Sequence, residues 1–419
     1  MIREMKNSGV PWIGEIPKTW KVLRTKNVFS IGKDIVGEQS SHTQLLSLTT
    51  KGIKAVPIGS TSGKVPDSYD TYQVVHKNDL VMCLFDLDCS AVFSGLSSIE
   101  GMISPAYKVL SLQSGFSPRF YDYWYAYIFD GRKYKFLSKN IRYSLTYDEF
   151  AALGIVAPSF SEQEAIADFL DQKCGEIDEM ISLQEKIVEE LKAYKQAVIA
   201  EAVTKGLDVS ARLKDSGIDW IGVIPEHWSV VRVKRLLIER KERSVHGEEE
   251  PLSMSQKFGL IPTKQMDVVP NMASSFEGAK LVEVGDLVFN KLKAHLGVFS
   301  TSKYAGLVSP DYAVYYGTGA ADVEYLEFLF KTPQCIAEFK KYITGVGAGL
   351  SRLYTSDLFA ISCPLPPIEE QTAIKDYLVQ KRAEIDSLIA VKQAKIESLK
   401  EYKKSIIYEY VTGKKEVNE

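Results

Sequence analysis

The sequence predicts an α+β fold: two mixed α/β domains joined by two long antiparallel helices that form a coiled coil, arranged as a pseudo-two-fold internal repeat. The first observation behind this prediction is repetition. The segment SGVPWIGEIPKTW at 8–20 returns as SGIDWIGVIPEHW at 216–228, so Trp12 and Trp220 stand 208 positions apart. Such self-similarity is typical of a duplicated unit. The other observations are a long apolar heptad series in each copy and a mixed helix and strand pattern before each series.

Each heptad series predicts a long helix that packs along one edge. About 41 residues at 1.5 Å per residue give each helix a length of about 60 Å. A one-sided apolar edge cannot be buried alone, and the chain returns through a whole domain between the helices, so we expect antiparallel packing. The main series contains Leu170, Ile177, Leu191, Val198, Leu378, Ile385, Leu399 and Ile406, and a second series contains Ile166, Met180, Ile187, Tyr194, Ile374, Leu388 and Tyr402.

Capping signals mark the ends of the long helices. Ser161 followed by Glu164 predicts a capping box at the start of the first helix, and Gly206 predicts its end after Lys205. The second helix follows the segment PLPPIEEQ and ends before Gly413. We therefore expect each helix to begin directly after a mixed domain and to end at a glycine.

The repeat also sets the domain boundaries and the place of the chain ends. The beginning and the end of the chain together match the linker that follows the first helix, so we expect the two ends to lie side by side. The predicted segments are 1–17 (N-terminal part of a split linker), 18–160 (first mixed domain), 161–206 (first long helix), 207–225 (linker repeat), 226–368 (second mixed domain), 369–413 (second long helix) and 414–419 (C-terminal tail).

Matching elements follow in the same order in both mixed domains. The strand NDLVMC at 78–83 matches GDLVFN at 285–290, and each domain then has an aromatic-rich helix. Phe120 and Trp124 stand one helical turn apart in the first of these helices, which predicts a core position for both. Elsewhere the two domains differ freely. We therefore expect them to bind two different targets in one shared manner.

Charge and hydropathy narrow the class of protein. The 419 residues have a net charge of −3 and a hydrophobic content of 45%. Lys and Arg number 16 against 12 Asp and Glu in residues 18–160, 16 against 16 in 226–368, and 5 against 11 in 161–205. The first domain is thus mildly basic, and acid is concentrated in the first long helix. No apolar run approaches the roughly 20 residues of a membrane span, so we expect a cytoplasmic protein without a membrane partner.

Together these landmarks resemble a known family. The phrases PWIGEIP and DWIGVIP, the segments APSFSEQEAI and PLPPIEEQTAI, and the heptad helix after each segment are similar to the specificity subunit of type I restriction-modification systems. The resemblance spans nearly the whole chain. It implies two target recognition domains, each reading one half of a bipartite site in double-stranded DNA. It also implies two adenine methyltransferase (M) subunits and motor or nuclease (R) subunits as partners, which bind S-adenosylmethionine, ATP and Mg.

The chain shows no motif for catalysis of its own. No [DN]-P-P-[FY] motif for adenine methylation occurs, because SPAY and SPDY lack the second proline, and no G-x-x-x-x-G-K-[ST] loop is present. The five cysteines form no CxxC pair and the five histidines lie far apart, which predicts reduced, mostly buried thiols and no metal site. We therefore expect a non-catalytic recognition subunit with no cofactor in this chain.

Polar loops at matching places in the two domains are the predicted DNA-binding sites. Base readout needs polar or cationic side chains on rigid supports, with further cations on phosphate. Asp86 and Asp88 follow the matching strand of the first domain, either as acceptors from cytosine or in a structural role. The predicted DNA-binding residues are Lys51, Lys139, Asn140, Arg142, Tyr143, Gln256, Lys257, Asn290, Lys291, Lys293, His295, Ser351 and Arg352.

The repeated tryptophans Trp12, Trp20, Trp220 and Trp228 are predicted to form hinges between domain and helix, or seats for a methyltransferase subunit. In this hypothesis the chain is a molecular ruler, because the helices set the unread spacer between two half-sites. One alternative is a coiled-coil scaffold with two protein-binding domains. Another is a self-sufficient nuclease or methyltransferase, which the missing motifs disfavour.

Overall fold

The chain folds into two compact units, each with its own mixed domain. One unit comprises Met1–Glu185 with Ala394–Glu419, and the other comprises Lys186–Gln393. Both combine helices with antiparallel strands, which confirms the predicted α+β class. The computed structural model describes residues 3–32, 34–50, 52–58, 66–87, 92–130, 135, 143–255, 258–266, 275–343 and 352–417.

Two helices are far longer than the others, and each has one part in either unit. Within the described part of the chain, no helix combines the length and the apolar character that crossing a bilayer requires. The helices are α1 (Pro118–Asp130), α2 (Tyr147–Ala152), α3 (Phe160–Lys205), α4 (Val323–Phe330), α5 (Pro333–Tyr342), α6 (Thr355–Ala360) and α7 (Ile368–Val411).

The strands of the first unit form a central sheet in the order β4-β11-β8-β9, and the pairs β1-β2, β3-β12, β5-β6 and β7-β10 surround it. All of these pairings are antiparallel. The strands are β1 (Met5–Asn7), β2 (Glu15–Pro17), β3 (Lys21–Arg24), β4 (Phe29–Ile31), β5 (Leu46–Thr49), β6 (Gly52–Ala55), β7 (Gln73–Val75), β8 (Leu80–Met82), β9 (Ser94–Leu96), β10 (Gly101–Ile103), β11 (Lys108–Leu112) and β12 (Gly154–Ala157).

The second unit repeats this topology. Its central sheet has the order β16-β23-β20-β21, and the pairs β13-β14, β15-β24, β17-β18 and β19-β22 surround it. The strands are β13 (Leu213–Asp215), β14 (Val223–Pro225), β15 (Ser229–Arg232), β16 (Leu237–Glu239), β17 (Leu252–Ser255), β18 (Gly259–Pro262), β19 (Lys280–Val282), β20 (Leu287–Asn290), β21 (Phe299–Thr301), β22 (Gly306–Val308), β23 (Tyr312–Gly317) and β24 (Ser362–Leu365).

One continuous core joins each mixed domain to its helix segments. In the first unit the core contains Phe120 and Trp124 of α1 together with Leu170 of α3 and Leu399 of α7. The prediction that Phe120 and Trp124 belong to the core is confirmed, because both are fully buried. The second unit repeats the arrangement with Tyr325, Leu329, Val203 and Leu378.

Within the first unit, the segments of α3 and α7 run antiparallel. Lys403 Nζ lies 2.7 Å from Asp178 Oδ2. Nearer the start of α3 and nearer the end of α7, the ring centroids of Phe169 and Tyr410 are 4.3 Å apart. Contacts thus move towards the start of α3 as they move towards the end of α7. This is the direction that the sequence predicts for the paired helices.

The buried edge of the long helices follows the main predicted series and only part of the second, in which Ile166 and Ile374 are buried and Ile187 is half-buried. Met180, Tyr194, Leu388 and Tyr402 of the second series are 43%, 55%, 51% and 57% exposed, so the prediction is wrong for them. The apolar residues that share the buried edge with the main series stand four positions after its members instead of three. Both spacings recur every seven residues, so the heptad repeat in the sequence does not distinguish them. Leu170, Ile177, Leu378, Ile385, Leu399, Ile406, Cys174, Val188, Ile389 and Ile396 are buried, and Leu191, Val198 and Ile181 are half-buried.

Helix α3 begins slightly earlier than the capping signal predicted. Ser159 caps it, since the Ser159 side-chain oxygen accepts the Glu162 N–H at 3.3 Å. The predicted capping box at Ser161 and Glu164 is therefore wrong. Glu164 accepts instead from Arg119 Nη2 of α1 at 2.6 Å. The helix begins at Phe160, and the apolar pattern did not predict this residue as helical because its side chain is exposed and does not belong to the buried edge.

The end of α3 packs against the repeated tryptophan of the second unit. Trp228 is buried, and its Nε1 donates to Glu370 Oε2 at 3.1 Å. Gly206 follows α3 with a φ of +77°, and a Cβ there would lie 2.8 Å from Glu370 Oε1 and 3.2 Å from the Trp228 ring. Both the backbone conformation and the available space therefore require glycine at this helix end.

The first unit uses the chain ends for the same junction. The Arg3 guanidinium lies 5.3 Å from the centroid of the buried Trp20 ring and forms an ion pair with Glu162. Gly413 lies against the same ring, where a Cβ would be 2.9 Å from it. Arg3 and Val417 line one cavity of about 690 Å³. The prediction that the two chain ends lie side by side is confirmed.

We expect Gly206→Ala to destabilise the second unit by about 2–5 kcal/mol. The left-handed conformation costs about 1–2 kcal/mol in an L-residue, and the contacts with Glu370 and Trp228 add the cost of overpacking, about 1–3 kcal/mol. Gly222→Ala is the matched control, because Gly222 has a φ of +71° but open space around its Cβ position. Urea unfolding of the full chain measures both. Equal losses of stability in the two variants would contradict the proposed packing at Gly206.

Candidate nucleic-acid interface

The structure places only part of the predicted DNA-binding set. It places Tyr143 in the first unit, and it brings the other described members together in the second unit. Those members are Asn290, Lys291, Lys293, His295 and Arg352. The predictions for Lys51, Lys139, Asn140, Arg142, Gln256, Lys257 and Ser351, and for Asp88, fall outside the described residues.

A backbone hydrogen bond joins two loops of the second unit. The loop after β20 begins at Lys291, and the described part of the segment before α6 begins at Arg352. The N–H of Leu353 donates to the carbonyl oxygen of Lys291 at 3.1 Å. The bond fixes the backbone on which Lys291 and Arg352 stand. These two side chains, 61 positions apart in the sequence, therefore belong to one site.

Asn290 is used inside the protein. Its Oδ1 accepts the N–H of Leu292 at 3.1 Å, and its backbone pairs with Tyr312 of β23. These contacts hold the start of the loop against β23. That Asn290 contacts DNA stays a prediction, because one accepted bond leaves a lone pair of its oxygen and both amide N–H donors for a further partner.

Five charged side chains surround this loop junction. Arg352 Nη2 lies 3.2 Å from Asp311 Oδ1, and Lys280 Nζ lies 3.3 Å from Glu239 Oε1. Lys291 is the third cation of the group. Three cations thus share two carboxylates, which leaves one positive charge without a dedicated acid. An anion such as phosphate would balance that charge.

The pKa of Lys291 is lowered from its ordinary value. Burial of the amine is the largest cause, and repulsion by Lys280 and Arg352 acts in the same direction. Attraction by Asp311 and Glu239 opposes both effects without cancelling them. Lys291 is therefore a desolvated cation that would gain from a negatively charged ligand.

The tip of the same loop carries two further predicted residues. Lys293 is exposed, and its backbone carbonyl accepts the N–H of Leu296 at 2.9 Å. His295 is half-buried, and its Nδ1 is buried without a hydrogen-bond partner among the described residues. Gly297 closes the turn with a φ of +72°. The turn thus presents Lys293 to solvent while His295 faces inward.

The first unit has the same junction with different side chains. The N–H of Leu145 donates to the carbonyl oxygen of Leu84 at 2.7 Å, as Leu353 does to Lys291. Tyr143 precedes this junction in a left-handed conformation with a φ of +50°. One backbone arrangement therefore serves both domains.

The charged cluster of the second unit has no charged counterpart in the first. Strand pairing matches Lys280 with Gln73, the junction matches Lys291 with Leu84 and Arg352 with Ser144, and the turns SPDY and SPAY match Asp311 with Ala106. All four first-unit residues are neutral. The two domains therefore carry chemically different side chains on one backbone arrangement.

Sequence reasoning missed Lys280, Asp311 and Glu239 as members of this site. Asp311 lies in the SPDY segment, which reads as a simple turn into a strand. A signal was present, because charged residues at 280 and 311 replace neutral ones at the matching places of the first copy. Only the fold brings Asp311 beside Arg352, and Lys280 and Glu239 near Lys291.

The repeated tryptophans lie at the domain junctions. Trp20 and Trp228 are buried within their own units, so neither is part of a docking surface. Trp12 and Trp220 are half-buried, and the ring of Trp12 lies 6.0 Å from that of Trp124. Of the two predicted roles, the structure supports packing at a hinge for Trp20 and Trp228.

The described thiols and acids offer little for other chemistry. Cys83, Cys174, Cys335 and Cys363 are buried, as predicted, Cys174, Cys335 and Cys363 are free thiols, and Cys89 lies outside the described residues. No group of three or more His, Cys, Asp or Glu within the described ranges is arranged to hold a metal ion.

Sequence comparison relates the chain to type I restriction enzyme specificity subunits. It is 24% identical over 434 residues to the putative MjaX specificity subunit of Methanocaldococcus jannaschii, covering 96% of this chain and 95% of that protein. It is 25% identical to the MjaVIII specificity subunit of the same organism and 23% identical to the EcoKI specificity subunit of Escherichia coli K12, covering 63% and 57% of this chain and 63% and 53% of those proteins. No model of a known protein family matches the chain.

Solved structures share the fold. One chain, from a study of complex assembly and conformational transition of the type I R-M system, has a TM-score of 0.67 at 14% identity and covers 95% of this chain and 99% of its own length. The HsdS subunit from Thermoanaerobacter tengcongensis has a TM-score of 0.51 at 16% identity, with 95% and 98% coverage. The whole-length resemblance predicted from the sequence is thus confirmed.

We expect the affinity for duplex DNA to fall at alkaline pH through Lys291. Because its pKa is lowered from an ordinary value of about 10.4, Lys291 loses its charge earlier than other lysines as pH rises. The charged fraction falls about tenfold per pH unit above that pKa. Lys291→Arg keeps its charge, so it should retain affinity to higher pH in fluorescence anisotropy titrations with a duplex oligonucleotide.

Lys293→Arg is the matched control for this experiment, because Lys293 lies on the same loop but is exposed. It should reproduce the wild-type pH profile. If Lys291→Arg also reproduces the wild-type profile, the Lys291 amine does not face the DNA.

Proposed function

We propose that this chain, a relative of type I restriction enzyme specificity subunits, is the DNA-sequence-specificity subunit of a type I restriction-modification complex. Each mixed domain, from here on a recognition domain, reads one half of a bipartite target in double-stranded DNA. The long helices set the unread spacer and dock the methyltransferase subunits. The chain itself catalyses no reaction, and S-adenosylmethionine, ATP and Mg bind to the partner subunits.

One observation carries this proposal furthest: an equivalent backbone junction holds Lys291 and Arg352 in one recognition domain, and the buried Leu84 with Ser144 in the other. A protein that reads two different half-sites needs such a design. Its two readers must approach DNA in the same way, yet they must present different donors and acceptors to the base edges. A duplicated scaffold with freely varied loops meets both requirements.

The charge balance also fits a specific rather than a general DNA-binding protein. The net charge of the chain is −3, and the site around Lys291 has an excess of one cation among the described groups. Phosphate contacts supply most non-specific affinity. Because this protein has few unpaired cations at the site, sequence preference must come largely from contacts to the bases.

The helix contacts support antiparallel packing of α3 on α7 within each unit. The ion pair of Lys403 with Asp178 lies in the first unit, and that of Lys195 Nζ with Asp386 Oδ1, at 2.6 Å, lies in the second. Both pairs join α3 to α7. In the proposed function this pair of helices is the ruler between the half-sites.

Exposed apolar residues on the long helices support two equivalent docking seats. In the first unit Met180 and Leu183 of α3 are exposed, and in the second unit Leu388 and Val391 of α7 are exposed. Each residue of one pair matches a residue of the other at the repeat offset of 208 positions. Exposed apolar residues repeated in this way mark a protein-binding surface. We assign each seat to one methyltransferase subunit.

Exchanging residues 18–160 for a recognition domain of another specificity should change one half-site and leave the other half-site and the spacer unchanged. The physical reason is that each domain has its own core and its own reading loops. Methylome sequencing of the exchange strain measures the target directly. A protein-binding scaffold would instead leave the methylated sequence unchanged, which would contradict the proposed function.

Charged substitutions at the seats should remove methyltransferase subunits one at a time. Met180→Lys should reduce the number bound per chain from two to one, and Met180→Lys with Leu388→Lys should abolish binding, because each buries a charge in an apolar interface. Native mass spectrometry of the purified complex counts the subunits. Glu179→Lys is the control, since Glu179 is an exposed polar neighbour. Full binding by the double variant would place the docking surface elsewhere.

A further inference from the structure

The side chain of Arg352 is held in a defined orientation at the edge of the second recognition domain. Its Nη2 donates to Asp311 Oδ1 at 3.2 Å. The side chain is 34% exposed, and Asp311 is 57% exposed. Arg352 is therefore packed along its stem while part of the guanidinium remains open to solvent.

A held guanidinium suits one base better than the others. Guanine presents two acceptors, N7 and O6, side by side in the major groove, and arginine donates to both at once. A carboxylate that fixes the guanidinium reduces the side-chain freedom lost on binding. No other base presents two neighbouring acceptors in the major groove.

The surroundings add a reason why DNA would bind here. Lys291 stands beside Arg352, and its depressed pKa reflects burial next to other cations. Lys293 on the same loop is exposed and can reach the DNA backbone. Cations on phosphate position a reader, whereas contacts to base edges supply specificity. The loop thus provides the positioning contacts for Arg352.

Building on the proposed function, we infer that Arg352, oriented by Asp311, reads a guanine in the half-site of the second recognition domain. Asp311 is a positioning residue and does not contact the base. The first recognition domain lacks the pair, since Ala106 and Ser144 take the matching places. Its half-site is read by different chemistry.

The test is a binding-site selection experiment. The full-length chain, in its purified complex, is mixed with a random duplex DNA library, and the bound sequences are recovered and sequenced. The wild type should enrich a two-part motif with a guanine in one part. Arg352→Lys keeps the charge but loses the paired donors, so it should lose about 5- to 150-fold of the preference for that guanine, the equivalent of about 1–3 kcal/mol. The other half of the motif is the internal control.

Two further measurements separate base reading from phosphate contact and from misfolding. Replacing the guanine by 7-deazaguanine, which lacks the N7 acceptor, should weaken binding by the wild type more than binding by Arg352→Lys. Asp311→Asn keeps the shape of the side chain, and it should relax the preference at the same position without weakening binding to random duplex DNA. A structural defect would instead affect both halves of the motif.

The outcomes are distinct. If the wild type enriches no sequence, the proposed function fails, and this inference fails with it. If the wild type enriches a two-part motif and the Arg352→Lys motif is identical, the inference alone is overturned. Uniform weakening of all sequences by Arg352→Lys would identify a phosphate contact and would also overturn it.

Discussion

The burial of one apolar edge along each long helix is the constraint on which the rest of the structure depends. Leu170 and Leu399 enter the same core as Phe120 in the first unit. A recognition domain that shares its core with two helix segments cannot turn freely against them, because packed cores resist small displacements. The positions of the reading loops are therefore set, through each domain's core, by its own helix segments.

Polar contacts make this seating specific. Gln163 Oε1 accepts the N–H of Ser117 at 2.9 Å in the first unit, and Gln371 Oε1 accepts the N–H of Asp322 at 2.9 Å in the second. Both glutamines are buried, so each bond fixes the start of a domain helix against the start of a long helix. The surrounding charges differ. Arg119 meets acids of α3 in one unit, whereas a lysine of α7 meets Asp322 in the other. Each domain thus matches its own helix.

Much of the fold could be predicted from local and periodic signals. Gly206 was predicted as a helix end from capping chemistry, and Trp124 was predicted as a core residue from helical spacing. Both signals depend only on residues a few positions apart in the sequence. The second heptad series failed at Met180 because the same repeat of seven fits an apolar edge with a step of three or of four. Which of the two apolar series is buried depends on the helix packed against it, and the local sequence of one helix does not contain that information.

The candidate site was less predictable for a related reason. Lys291 and Arg352 were predicted as separate loop residues from their chemical type and their matching positions. Their association with Asp311 depends on the backbone bond at Lys291 and on the turn at Asp311, which lie 61 and 41 positions before Arg352 in the sequence. Asn290 has the same chemical type as a base-reading residue, and only its internal hydrogen bond reveals a positioning role.

The central claim is that paired helices hold two different DNA readers at a set distance. Inserting about four residues, roughly one helical turn or 6 Å, at matching levels of α3 and α7 tests it most directly. Methylome sequencing of the insertion strain should reveal the original half-sites separated by one or two additional base pairs, each of about 3.4 Å. A target with the original half-sites and an unchanged spacer would contradict the account.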